Sequence, residues 1–231
     1  MSSYWSIITY GVNQLKKLII SFILLFGIGG AALVALSPSK AVNTSPLTLS
    51  SGYLFEQPRG LAPFSLEDQS GAEFTQADFA GKWSLVFVGY TSCPDVCPTT
   101  LSKLAALFPK LQAVSKVPVQ VVFVSADPAR DTQQKRLDYI NFFNSEFKAV
   151  TAPHAKLFPF SRDLGFAYAM VGDGDDYQVD HSASYVLVSP KGEKFAVFKP
   201  KPVLGQMGQI DHKELLADLE QIFNRYSNSE A

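Results

Sequence analysis

Cysteine is almost absent from this chain: 231 residues contain two. One pair cannot build the multi-bridge framework that staples small exported domains. With 47% hydrophobic residues the chain can fill a core without such staples. An excess of either charge is missing too. Twenty Lys and Arg face 21 Asp and Glu, a formal net charge of -1, so there is no basic surface of the kind a nucleic-acid binder needs. No block of like charges suggests an acidic or basic tail. Internal repeats and low-complexity tracts are also lacking. Long apolar runs are absent apart from one, residues 18–36 (LIISFILLFGIGGAALVAL), which carries no charge.

That run predicts a transmembrane anchor, since about 20 apolar residues cross a bilayer core. Lys16 and Lys17 precede it and favour a cytoplasmic N-terminal segment, residues 1–17. A cleaved signal peptide is the alternative. Its apolar region would be shorter, about 7 to 15 residues, and Ser37-Pro38-Ser39-Lys40-Ala41 is a poor cleavage site. Either reading exports the rest. Residues 37–60, rich in Ser, Pro, Thr and Leu, read as a linker. A domain is expected over residues 61–226, with a short tail at 227–231.

Within the domain, Phe64-Ser65-Leu66 and Glu73-Phe74-Thr75 read as a hairpin. Residues 83–90 (WSLVFVGY) and 119–124 (VQVVFV) are short, almost wholly apolar runs, the pattern of buried central strands. Between them, Leu101, Leu104, Ala105, Phe108 and Leu111 recur at helical spacing. A second helix is expected over residues 132–143, a brief strand at 149–151, and a helix over 153–169 interrupted or kinked at Pro159. A hairpin across residues 189–193 and a last helix over 211–223 complete the order. Alternating strands and helices closed by an antiparallel hairpin predict an α/β domain with a mixed sheet.

The two cysteines lie in T-S-C-P-D-V-C-P, residues 91–98, between a buried strand and an amphipathic helix. Sites in open α/β sheets form beyond the carboxyl ends of strands. Side chains four apart at a helix start share a face, near enough to grip one metal ion or, after adjustment, to close a disulfide. Unpaired N–H groups and the positive dipole end favour thiolate over thiol. Two thiolates suit a soft ion such as Cu(I), whereas a structural zinc site would want a second cysteine pair, which the sequence does not have. A structural disulfide remains the plain alternative. Of the three histidines, His154 and His212 read as exposed helix-start residues without a role. His181, in Y-Q-V-D-H-S at 177–182, lies between an acidic loop and a buried strand. Its imidazole would suit a trigonal copper set with the two cysteines, and a hydrogen-bonded loop histidine is the plainer alternative. Asp180 is a candidate to orient that ring. Asp127 and Asp131, in S-A-D-P-A-R-D-T at 125–132, read first as turn and cap residues and second as contacts supporting the ligands or a partner.

Together, G-Y-T-S-C-P-D-V-C-P at 89–98, S-A-D-P-A-R-D-T at 125–132 and Y-Q-V-D-H-S at 177–182 resemble the Sco/SenC family of copper proteins over roughly residues 60–225. Ala126 stands where that family usually has Val. The resemblance implies a thioredoxin-like domain in which Cys93, Cys97 and His181 bind Cu(I) or Cu(II). It also implies assembly of the dinuclear copper centre of cytochrome c oxidase, or service to another copper protein, on the periplasmic side of a bacterial inner membrane. Copper delivery needs no covalent substrate chemistry, so an enzyme is not required. The alternatives are a thiol–disulfide oxidoreductase, with Cys93 and Cys97 as its redox-active disulfide, and a thiol peroxidase activated by Arg130.

Overall fold

Seven consecutive residues of strand β4, Trp83–Gly89, are buried, and this strand organises the domain. Its side chains alternate between the two faces of the sheet, and both faces are covered, so every position is apolar or small. In the computed structural model, which describes residues 47–202 and 208–229, β4 pairs in parallel with β5, Val119–Ser125, from Trp83↔Val119 to Gly89↔Ser125. Strand β6, Lys148–Val150, continues the parallel side. On the other side β9 (Tyr185–Val188), β10 (Glu193–Phe198) and β1 (Gly52–Gly60) add antiparallel, giving the order β1-β10-β9-β4-β5-β6. Short strands β2 (Leu66–Glu67) and β3 (Glu73–Phe74) form the expected first hairpin.

Helix α1, Val96–Val114, and helix α4, His212–Ser229, cover one face. Leu101, Leu104 and Leu111 of α1 and Leu215, Leu219 and Phe223 of α4 meet Trp83, Leu85, Phe87, Val121 and Phe123 there. Helix α2, Gln133–Phe143, adds Ile140 to that core. Helix α3, His154–Leu164, covers the other face, with Leu157, Phe160 and Leu164 against Val86, Val88, Val122 and Val124. Burying each such side chain contributes about 1.5–3 kcal/mol. The result is a mixed sheet between two helical layers, the α/β class the element order predicts and the thioredoxin-like arrangement the Sco/SenC resemblance implies.

Three expectations need correction. Residues 52–60, read as linker, are strand β1, which joins the sheet through β10. The sequence hides it because an outer strand need not be apolar on both faces, and Pro58 is tolerated at an edge. Asp218 of α4, fully buried, ties the entry to this strand by accepting from Ser50 N (2.9 Å), Ser51 N (2.7 Å) and Ser51 Oγ (2.7 Å). Next, the helix read over 153–169 stops at Leu164. Gly165 takes the left-handed cap conformation (φ 88°), and its N–H donates to Ser161 O and Arg162 O. Strand β7, Tyr168–Val171, follows and pairs antiparallel with β8, Gln178–His181. Finally, residues 227–229, read as tail, continue α4.

Among the described residues no helix is long and apolar enough to cross a membrane. The anchor expected at residues 18–36 lies outside the described residues.

Candidate metal centre

The parallel strands β4 and β5 end side by side, and both turns that follow belong to one site. Ala126 N donates to Gly89 O at 2.8 Å, which holds the turn after β5 against the start of the cysteine loop. Cys93 lies in that loop, half-buried, with its N–H donating to Tyr90 O at 3.2 Å. Cys97 is the second residue of α1 and is 1% exposed. It fits against β4 because residue 89 is glycine. A Cβ there would lie 2.5 Å from Cys97 Sγ and 2.8 Å from Phe123 Cε2.

His181 closes the site from β8. Its Nε2 lies 3.5 Å from Cys97 Sγ. Its Nδ1 lies 3.1 Å from the carbonyl oxygen of Ser182. A carbonyl can only accept, so that contact puts a proton on Nδ1 and turns the Nε2 lone pair toward the sulfurs. The ring is therefore oriented by its neighbour's main chain. Asp180, expected in that role, instead borders a cleft beside the site. Ligand atoms of Cys93, Cys97 and His181 all lie within 4.8 Å of one another. Two sulfurs and an imidazole so placed can hold one soft metal ion.

Both cysteines are free thiols, but they are not equivalent. The Cys97 thiol donates to the Cys93 sulfur, and this bond, more than any other contact, holds Cys93 down to a pKa of about 3. Burial opposes the shift; the main-chain N–H groups of Cys97 and Asp95 reinforce it. The same bond, and burial after it, push Cys97 far above the ordinary thiol range. The bond between them thus shifts the two thiols in opposite directions, Cys93 down and Cys97 up.

The two aspartates of the 125–132 segment are both fully buried. Asp131 accepts from Thr91 Oγ1 (2.5 Å), Thr91 N (2.9 Å) and Ser125 Oγ (2.5 Å), so it clamps the cysteine loop two residues before Cys93. Asp127 accepts from Tyr177 Oη (2.5 Å) and Arg130 Nε (2.5 Å). The Arg130 guanidinium lies 3.6 Å from the Tyr177 ring centroid. These contacts tie the turn after β5 to Tyr177, the residue that leads into the strand carrying His181. Sequence reasoning missed Thr91, Tyr177 and Gln178, whose side chain accepts from Tyr90 Oη at 2.7 Å. All three stand inside the quoted motifs, where they read only as polar neighbours of the candidate ligands. His154 and His212, read as exposed, are half-buried; His154 Nδ1 lies 3.0 Å from Tyr168 Oη. Neither histidine joins the cysteine cluster.

The SCO1/SenC family model matches residues 55–213. The chain belongs to the SCO1/SenC family. A SCO2-like protein of Rickettsia prowazekii is 33% identical over 184 residues, covering 78% of this chain and 87% of that protein. The mitochondrial SCO1 homolog 1 of Arabidopsis thaliana is 34% identical over 177 residues, covering 74% of this chain and 53% of the longer plant protein. The match therefore spans only about half of that relative. Among solved structures, Arabidopsis thaliana ScoI with copper bound superposes with a TM-score of 0.59 at 31% identity. That match covers 71% of this chain and 99% of the other. Copper has thus been seen bound to a Sco relative of the same fold.

Proposed function

We propose that this chain is a copper-delivery protein. Cys93, Cys97 and His181 hold copper, as Cu(I) or Cu(II), and pass it to the copper-bearing subunit of cytochrome c oxidase or to another copper protein. The observation that carries this reading is the convergence of two sulfurs and one imidazole within 4.8 Å, from three separate places in the fold. The donor set fits copper in both oxidation states, and Sco relatives with copper bound support it. Cys93 is the accessible ligand, while Cys97 is enclosed. An acceptor's donor atom can therefore approach from the Cys93 side and exchange ligands without releasing the metal. Residues 18–36 anchor the domain to a bacterial inner membrane in a single pass, with residues 1–17 in the cytoplasm and the domain in the periplasm. The run of apolar residues behind Lys16 and Lys17 supports that placement.

The test is copper stoichiometry after anaerobic reduction, with wild type, Cys93→Ala, Cys97→Ala and His181→Ala side by side. One tightly held copper per chain is expected, lost in both cysteine variants and weakened in the histidine variant. Reduced wild type without stable copper would leave the second reading, thiol–disulfide exchange with a partner. The strongly acidified Cys93 thiol favours that reading, because thiolate is the attacking species. His181→Ala would leave such exchange largely intact.

A further inference from the structure

Strand β8, which carries His181, pairs among the described residues with β7 alone, in a two-stranded sheet apart from the six-stranded one. A two-stranded ribbon by itself is marginally stable, so side chains have to fix where β8 sits beside the cysteine loop. Tyr90 is placed to do this. It follows β4 directly and is 3% exposed. Its hydroxyl donates to Gln178 Oε1 at 2.7 Å and meets the Val179 N–H, so its donor and acceptor sides both engage β8. Its ring stands edge-on to His181, with centroids 6.2 Å apart and planes at 79°.

The main chain of the same residue serves the other two ligands. Tyr90 O accepts from Cys93 N at 3.2 Å, and Tyr90 N–H faces the Cys97 sulfur. Asp131 grips the cysteine loop and Asp127 grips the residue before β8, each on one side of the site. Tyr90 spans the gap between the two sides. Metal–ligand distances hold to within about 0.2 Å, so a small drift of β8 would be felt at the metal.

We propose that Tyr90 is a positioning residue whose hydroxyl, through Gln178 and Val179, sets the reach of the His181 imidazole and thereby how strongly the site favours Cu(II) over Cu(I). Tyr90 acts through His181, not on copper itself. Imidazole suits Cu(II), whereas soft Cu(I) is held mainly by the thiolates. A change in the reach of His181 therefore acts unequally on the two oxidation states. The inference rests on the copper-delivery reading.

Tyr90→Phe removes the hydroxyl and keeps the ring. In the full-length chain it should weaken Cu(II) about tenfold and Cu(I) less than about twofold, read by chelator competition. A tenfold change in that ratio raises the Cu(II)/Cu(I) potential by about 59 mV. Gln178 is exposed, so Gln178→Leu breaks the same bond with the core intact and should move the potential the same way. Added to Tyr90→Phe it should change little more, because the two act through one contact. Asp218→Ala, which touches neither residue, is the control that lowers stability and leaves the potential alone. An unchanged potential in Tyr90→Phe, with both oxidation states weakened equally, would overturn the proposal and leave Tyr90 a packing residue. In the copper-free chain the ring ¹⁵N signals of His181 should move in both variants while those of His212 stay. Unmoved His181 signals would overturn the positioning role. Wild type that holds no copper, but whose His181 signals respond to Tyr90→Phe, would sink the delivery reading with its copper preference and leave Tyr90 as the residue that places His181.

Discussion

Gly89→Ala is the most informative single change. The added methyl carbon would stand 2.5 Å from Cys97 Sγ and 2.8 Å from Phe123 Cε2. Ordinary contacts between heavy atoms of this kind are about 3.5–4.0 Å, so one neighbour must retreat by roughly 1 Å. Phe123 is wholly buried and packed at a tilt against Phe87 and Tyr139. Cys97 is itself 1% exposed, so neither neighbour has free space to move into. Overpacking of this sort costs about 1–3 kcal/mol. For a domain of this size that is roughly 2–12 °C in Tm. The effect on the site should exceed the effect on the fold. Displacing Cys97 Sγ changes both its approach to His181 Nε2, now 3.5 Å, and its hydrogen bond to Cys93. A misplacement of about 1 Å can cost on the order of 100-fold in a preorganised site. The assay is competition for Cu(I) against a chelator of known affinity, alongside thermal melts. Gly60→Ala is the control, because a Cβ there meets nothing within 4 Å. Wild-type copper affinity in Gly89→Ala would refute the reasoning that the glycine makes room for the Cys97 sulfur.

Cys97→Ala should return the Cys93 thiol toward its ordinary value of 9.0 from about 3, because the Cys97 hydrogen bond is the largest cause of the depression; iodoacetamide labelling of Cys93 in weakly acidic buffer should then fall, and undiminished labelling would count against that bond as the cause. In wild type, the depressed Cys93 value makes folding more favourable as pH rises from about 3 toward 9.0, and acidification through the folded value removes that stability. The raised Cys97 value works oppositely above 9.0, where the unfolded chain releases a proton that the folded one keeps; denaturant midpoints of reduced wild type should rise and then decline across that range, and Cys93→Ala should flatten the acidic limb. Asp131→Asn places an amide among three donors to a fully buried carboxylate and should cost roughly 1.5–3 kcal/mol in urea unfolding while loosening the cysteine loop, seen as faster alkylation of Cys97. Asp218→Ala leaves Ser50 N, Ser51 N and Ser51 Oγ without their acceptor, so proteolysis within residues 47–60 should accelerate, at a stability loss of about 1–3 kcal/mol.

Local pattern encodes the central strands and the helix between them. The apolar runs at 83–90 and 119–124 became the paired parallel strands, because a strand buried on both faces has to be apolar throughout. The stripe from Leu101 to Leu111 became the buried face of α1, and the T-S-C-P-D-V-C-P segment marked the junction between strand and helix. Residue type and spacing made Cys93, Cys97 and His181 candidates, and the Sco/SenC resemblance implied that they form one ligand set. Strands β1, β7 and β8 were not legible. Edge strands need only one apolar face, so β1 looked like linker, and β7 shared the periodicity of the helix before it until Gly165 intervened. Only the tertiary structure decided that β8 brings His181 to Cys97 across 84 positions of sequence. It alone showed that Asp131 grips Thr91, and that the ring of His181 is steered by the Ser182 carbonyl rather than by Asp180. Those contacts depend on where separate elements end in space, and neither composition nor periodicity records that. The same holds for the two cysteines: spacing can place two sulfurs on one face, but the hydrogen bond between them, and burial after it, set the opposite shifts of their thiols.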